Sequence, residues 1–288
     1  MRHESFPALY CAADAASEAA QKALLKAHQV NYFLLIAGAV TALLGPSRWF
    51  AVLSALLFLA SLLAYVYIQQ QDFQGLWYRA RALAESVKTA TWRLVMSAHP
   101  FSKKTEQENL ELFRRLLAEL LQENRGIGQH LAGDWSGQDQ VTPEMLSVLR
   151  EPYDTKKIRY LNDRIDDQRK WYAKKSGENR AASASFFYWT CGAYAIAIAL
   201  LLVRIGMPDA PYLPIEVFAV VASSFIGWKQ IKRFDELASA YGLTAHELGI
   251  VKSGYESVGD PDYLASFVSD AENAFSREHT QWAARRDH

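Results

Sequence analysis

The sequence predicts an all-α integral membrane protein: two transmembrane helical hairpins, four spans in all, with long helices extending into a cytosolic helical bundle. Three observations carry that prediction. Trp49 to Ile68 runs twenty residues without a charge, and at about 1.5 Å per residue such a helix crosses a hydrocarbon core of roughly 30 Å. Gly45-Pro46-Ser47-Arg48 is a turn tight enough to fold this run back on a second apolar one, Val30 to Leu44. No segment shows the repeated apolar and polar alternation of a half-buried sheet.

Residues 1–29 hold no signal-peptide core, and Ala13 to Gln29 is rich in strong helix formers. That predicts a retained helix running into the first hairpin, whose spans cover 30–44 and 49–68. Beyond Ile68 the pattern predicts a helix to about His99, stopped by Pro100, and another from about Thr105 to Glu123 with apolar positions at helical spacing. Together these make a first two-transmembrane unit, residues 1–125. Residues 126–141, rich in Gly, Asp, Gln and Ser, read as a loop, after which Thr142-Pro143 pairs an N-cap with a first-turn proline. The second unit, 142–288, repeats the theme. A helix from about Asp154 to Asn179 leads into spans at 185–203 and 212–228 joined by a turn at Gly206 to Pro211, the last span being less apolar because it carries Glu216. Thr244 and Glu247 have capping-box spacing, and Asp260-Pro261 opens a last amphipathic helix to about Arg285.

Whole-chain averages conceal this division. With 288 residues, 50% hydrophobic, 22% charged and of zero net charge, the chain taken as one resembles a soluble protein, yet charges are absent from Asn31 to Ser47 and sparse from Ser185 to Trp228. Neutrality gives no pull toward nucleic acid, and no Lys/Arg run interleaved with aromatics marks such a site. Two cysteines, Cys11 and Cys191, are too few for a disulfide framework and point to a reducing compartment. Basic residues fix the orientation. Lys22, Lys26, Arg79, Arg81, Arg169, Lys170, Lys174, Lys175, Arg180, Lys229, Lys232 and Arg233 flank the spans on one side, against Arg48 and Arg204 in the two short turns. By the positive-inside rule both termini and residues 69–184 lie in the cytoplasm.

Two helix faces carry the candidate ligand or interface residues. Trp77, Arg81, Glu85, Lys88 and Trp92 fall within about 80° of arc at about 100° per residue, and so do Tyr160, Arg164, Asp167, Trp171 and Lys175. Such stripes serve as packed seams of aromatics and ion pairs, or they grip a phosphorylated nucleotide by charge and stacking. Within the spans, Asn31 and Thr41 share a face with Gly38 and Gly45, and Glu216, Ser223 and Ser224 share one with Val220 and Gly227. Helix packing is one use for these small and polar residues, and lining a pore between several copies is the other, because four helices enclose little water. Arg204 and Glu216, near the outer end of the second hairpin, would pair or snorkel, with an ion-selective ring the alternative.

No active site is expected, nor a metal. The seven histidines lack metal-ligand spacing, Gly126-Ile-Gly128 follows no strand, and Ser136 stands one place off for a nucleophile elbow. Glu278 beside His279 is a candidate acid-base pair, more economically read as a capped or salt-bridged helix face.

The run Trp77-Tyr-Arg-Ala-Arg-Ala-Leu-Ala-Glu-Ser-Val-Lys88, with Trp92 and His99-Pro100-Phe101, resembles the first unit of tandem SLATT proteins, the SMODS and SLOG-associating two-transmembrane effector domains of bacterial nucleotide-signalling defence systems. Val141 to Met145, Arg150, Tyr160 to Arg164, Asp167 to Tyr172 and the ending Phe275 to Trp282 resemble the second. What the resemblance implies is an oligomeric effector of the bacterial inner membrane that forms a pore or otherwise breaches it when a partner synthase or sensor signals infection. A nucleotide second messenger is then the implied ligand, and membrane lipid and further copies of the chain the implied partners. A membrane-anchored scaffold or receptor is the alternative, and an integral-membrane hydrolase a more distant one.

Overall fold

The computed structural model describes residues 1–102, 104–131, 133, 135, 137–210, 212–255 and 259–284, the side chains of 274 and 276–284 excepted. The described elements are helices: α1 (Ala8–Leu43), α2 (Arg48–Gln70), α3 (Phe73–Val95), α4 (Glu106–Glu123), α5 (Pro143–Leu149), α6 (Tyr153–Tyr160), α7 (Asp167–Gly206), α8 (Ile215–Lys232), α9 (Phe234–Tyr255) and α10 (Pro261–Ala284). Short 3-10 turns cover His3–Ser5 and Arg125–His130, and a π turn, Leu161–Asp166, joins α6 to α7.

Local chemistry explains the starts of α2, α4 and α5. The Ser47 hydroxyl accepts from the Trp49 amide at the head of α2, Thr105 and Glu108 form a capping box on α4, and the Thr142 hydroxyl accepts from the Met145 amide with Pro143 in the first turn of α5. Each satisfies a backbone donor that the helix leaves unpaired. Gly45, at φ +134°, makes the turn between α1 and α2 in a conformation that a Cβ would oppose.

Two left-handed residues redraw the expected boundaries. Asp72 (φ 40°) separates α2 from α3, so the helix expected from Ile68 to about His99 is two helices, the second ending at Val95. Aspartate tolerates this conformation, and no proline announces it. Arg233 (φ 50°) interrupts α8 and α9 in the same way. By contrast α1 and α7 run unbroken for 36 and 40 residues. The order of long helix, shorter helix, left-handed break and further helix therefore occurs twice. The capping box expected at Thr244 is absent: α9 runs through it, and the Thr244 hydroxyl donates back to the Ala240 carbonyl at 3.1 Å.

The chain forms two compact units. Unit 1 comprises Met1–Gln21, Phe73–Trp171 and Ala245–His288, and unit 2 comprises Lys22–Asp72 and Tyr172–Thr244, so each draws on both halves of the sequence. In unit 1, α3 packs against α10, α4 and α5, burying Leu83, Val87, Leu94, Phe113, Met145 and Val268. Unit 2 reverses this pattern. Phe33, Leu62, Leu63, Leu202 and Ile205 are exposed, while Asn31, Ser54, Ser61, Ala193, Ala197 and Ala222 are buried. Apolar residues outside and small or polar ones inside suit a lipid solvent. Three helical stretches are long and apolar enough to cross a membrane: Ala8–Leu43, Arg48–Val95 and Tyr153–Gly206. The expected fourth span falls on α8, 18 residues that carry Glu216, Lys229 and Lys232.

Candidate functional site

The first stripe is assembled in unit 1 as a partly buried charge network. On α3, the Arg81 guanidinium bonds the Glu85 carboxylate at 2.7 Å and reaches Asp14 of α1 at 3.1 Å. Trp92, about two turns beyond Glu85, is fully buried, with its ring edge-on to Tyr160 at 5.7 Å and to Phe6 at 6.4 Å. Trp77 is half-buried and stacks on Tyr78 at 4.9 Å.

The second stripe splits at the π turn. Tyr160 and Arg164 are fully buried, 0% and 1% exposed. Asp167 is exposed, as is Trp171, and Lys175 pairs with Glu178 at 2.7 Å. The extra residue in a π turn rotates all that follows by about 100°, so the helical-wheel arithmetic that joined these five residues holds only as far as Arg164.

Glu272, absent from either stripe, is the hub. It is 0% exposed and takes both Nε and Nη2 of Arg164, at 2.8 and 2.7 Å, the Tyr160 hydroxyl at 3.0 Å and the Thr89 hydroxyl at 3.0 Å. The Arg164 guanidinium also lies over the Phe275 ring, 4.1 Å from its centre. Burial pulls against the guanidinium's charge, but the Glu272 carboxylate outweighs it and holds the Arg164 pKa above its ordinary value. Burial, then the Glu272 charge, pushes the Tyr160 phenol up. A signal for Glu272 was present in the sequence: it occupies the apolar face of α10 with Leu264, Val268, Ala271 and Phe275, where a lone carboxylate demands a buried partner.

Lys88 stands apart. It makes no hydrogen bond to a described residue, and burial, abetted by Arg164 and Arg81 against Glu85, holds its ammonium below the usual lysine range. Arg164 Nη1 and the Trp92 indole N–H are likewise buried without a partner among the described residues. Arg81 pairs with Asp14 and Glu85, Arg164 pairs with Glu272, and Lys88 feels both the Glu85 and Glu272 carboxylates at a distance. Among the described residues no group of His, Cys, Asp and Glu is placed to hold a metal. The side chains of Glu278 and His279 lie outside the described residues.

In unit 2 the candidate span residues divide into satisfied and outward-facing ones. Asn31 accepts from Ser61 at 2.6 Å, and Ser54 donates to the Gly38 carbonyl at 2.9 Å, stitching α1 to α2. Thr41 and Ser224 donate back along their own helices, to Ala37 and Gly38 and to Val220. Ser223, Glu216 and Arg204 are exposed, and no ion pair joins the last two.

Comparison with known families divides the chain in two. Residues 7–157 match the SMODS and SLOG-associating 2TM effector domain 3, and residues 160–282 match the SMODS and SLOG-associating 2TM effector domain 1. The chain belongs to the SLATT family. It is a tandem SLATT protein, the first match beginning next to α1 and the second at the end of α6, ahead of the π turn and α7. No curated protein and no solved structure matches the chain. A tandem SLATT chain with apolar helices of spanning length is a membrane-associated effector, of a family tied to nucleotide-signalling systems.

Proposed function

We propose that this SLATT protein is an oligomeric, pore-forming or membrane-disrupting effector of a bacterial anti-phage nucleotide-signalling system. It sits in the inner membrane with four spans and both termini cytoplasmic, and is gated through its cytosolic helices. It is not an enzyme. The observation that carries the reading is helix continuity: α1 bears Asp14 of the charge network and Asn31 of the apolar hairpin on one unbroken helix. A rigid helix passes on a displacement that a jointed one absorbs. The break at Asp72 removes α2–α3 from this role and leaves it to α1 and α7, whose stretch from Trp171 to Ser185 is uninterrupted.

Asn31 and Thr41 already have partners inside the chain, so a lumen between copies would be lined by the outward face of α8, on which Glu216 and Ser223 are seven residues apart. The trigger is a nucleotide second messenger, made by a partner synthase or relayed by a sensor, that rearranges the network around Arg81 and Lys88. Dye and ion leakage from liposomes holding the purified protein tests this, with a panel of cyclic and linear nucleotides and the variants Glu216→Gln and Arg81→Ala. Nucleotide-dependent leakage that Arg81→Ala abolishes and Glu216→Gln alters in ion preference is the expected result. Tight liposomes despite correct insertion would favour a membrane-anchored scaffold, a reading that the internally satisfied span residues also support.

A further inference from the structure

Unit 2 holds a groove of about 560 Å³ that descends along α7. Arg180 and Ser183 line its upper part with Lys229 from the end of α8 and Asp235 from the start of α9, while Phe187 and Tyr188 line its lower part. Residues 180, 183 and 187 recur at the spacing of one helix face. Arg180 lies five residues before Ser185, where the charge-free run of α7 begins, which is about 7.5 Å along the axis. That matches the depth of one headgroup layer, given a bilayer of about 40–45 Å around a core of about 30 Å. Phe187 and Tyr188 are exposed, at the level where interfacial aromatics sit.

The cations of the groove are unequally used. Lys229 pairs with Asp235 at 2.9 Å, and the Ser183 hydroxyl donates to the same carboxylate. Arg180 makes no hydrogen bond or ion pair with a described residue. Nearby, burial and, second to it, the neighbouring Lys175 hold the Lys232 ammonium below the usual lysine range.

We propose that this groove binds the headgroup of an anionic phospholipid, its phosphodiester on Arg180 and Lys229 and its acyl chains descending past Phe187 and Tyr188. A planar guanidinium without a carboxylate fits a phosphate's oxygens bidentately, and the aromatic walls open onto exposed apolar surface, as a two-ended ligand requires. The proposal rests on α7 crossing the membrane and is independent of any pore.

Native mass spectrometry of the delipidated full-length protein, titrated with phosphatidylglycerol and with phosphatidylcholine, tests it. Phosphatidylglycerol should bind at least fivefold tighter, and Arg180→Gln should remove about fivefold of that preference while leaving phosphatidylcholine unchanged. Lys229→Gln should act in the same direction, with a smaller loss because it also releases Asp235. Equal binding of the two lipids, or a preference that Arg180→Gln leaves intact, overturns the proposal. So does displacement of phosphatidylglycerol by inorganic phosphate or ATP, which would assign the groove to soluble anions. Alkaline carbonate extraction of cell membranes carrying the expressed protein separates the two failures: protein retained in the pellet with no lipid preference sinks the groove alone, and protein released to the supernatant sinks the membrane-spanning reading with it.

Discussion

The two units hide their polar groups by opposite means. Unit 1 encloses a many-membered network, in which one carboxylate, Glu272, answers Arg164, Tyr160 and Thr89 inside an apolar core. Unit 2 keeps its apolar residues outside and ties α1 to α2 with single bonds such as Ser61 to Asn31. The difference teaches what each solvent rewards. Water drives the apolar faces of α3 and α10 together with enough force to carry a buried charge pair along. Lipid offers no such force between helices, which then rely on close approach at Gly38 and Gly227 and on isolated hydrogen bonds.

Removing the hub should break the comparison most visibly. Glu272→Ala strands a buried guanidinium and is expected to cost about 3–5 kcal/mol, lowering the Tm of the detergent-solubilised protein by about 10 °C. Pairing Arg164→Met with Glu272→Leu should recover most of that loss. If Glu272→Ala cost no more than a span substitution, the network would not be what distinguishes unit 1.

Lys88 gives a sharper test with a known sign. Its folded pKa lies below its ordinary 10.5, so between the two values the unfolded chain binds more protons, and stability rises with pH across that window. Lys88→Met should raise the Tm by a few degrees near neutral pH and abolish the rise in alkali, as a melting series across pH would record. Lost nucleotide-dependent leakage in the same variant would mark Lys88 as strained for function.

Thr105→Ala should destabilise α4 by about 1 kcal/mol, measurable as faster amide exchange in residues 106–110 with α3 unaffected. Smallest is Ser61→Ala, expected to cost about 0.6 kcal/mol because an unfolded state in lipid also finds partners for Asn31. A loss of several kcal/mol there would mean that unit 2 depends on buried polarity as unit 1 does.

Three apolar stretches and several helix starts were legible because their causes are local: a charge-free run, a Gly-Pro turn, a Thr-Pro pair. What escaped was either nonlocal or conformationally ambiguous. Glu272 gains its meaning from Arg164, far away in the chain, and only its place on an apolar face hinted at it. The π turn after Tyr160 has no composition of its own, so Asp167, Trp171 and Lys175 were placed about 100° off the face of Tyr160 and Arg164. Asp72 breaks a helix without Gly or Pro, and Thr244 with Glu247 mimics a cap inside α9 because spacing alone cannot tell a terminus from an interior. The charge stripe on α3 was legible residue by residue, yet its partners on α1 and α10 were not.

The position of Glu272 also orders events during synthesis. It follows Arg164 by 108 residues, which at about 5–20 residues per second takes roughly 5–20 s. Both apolar hairpins are made before it, so the membrane segments have left the ribosome while Arg164 still lacks its counter-charge. A chain stopped before residue 272 carries its hairpins but cannot neutralise that guanidinium in a core. In a membrane-associated effector, α10 thus seals the Arg164 site only once synthesis has passed residue 272.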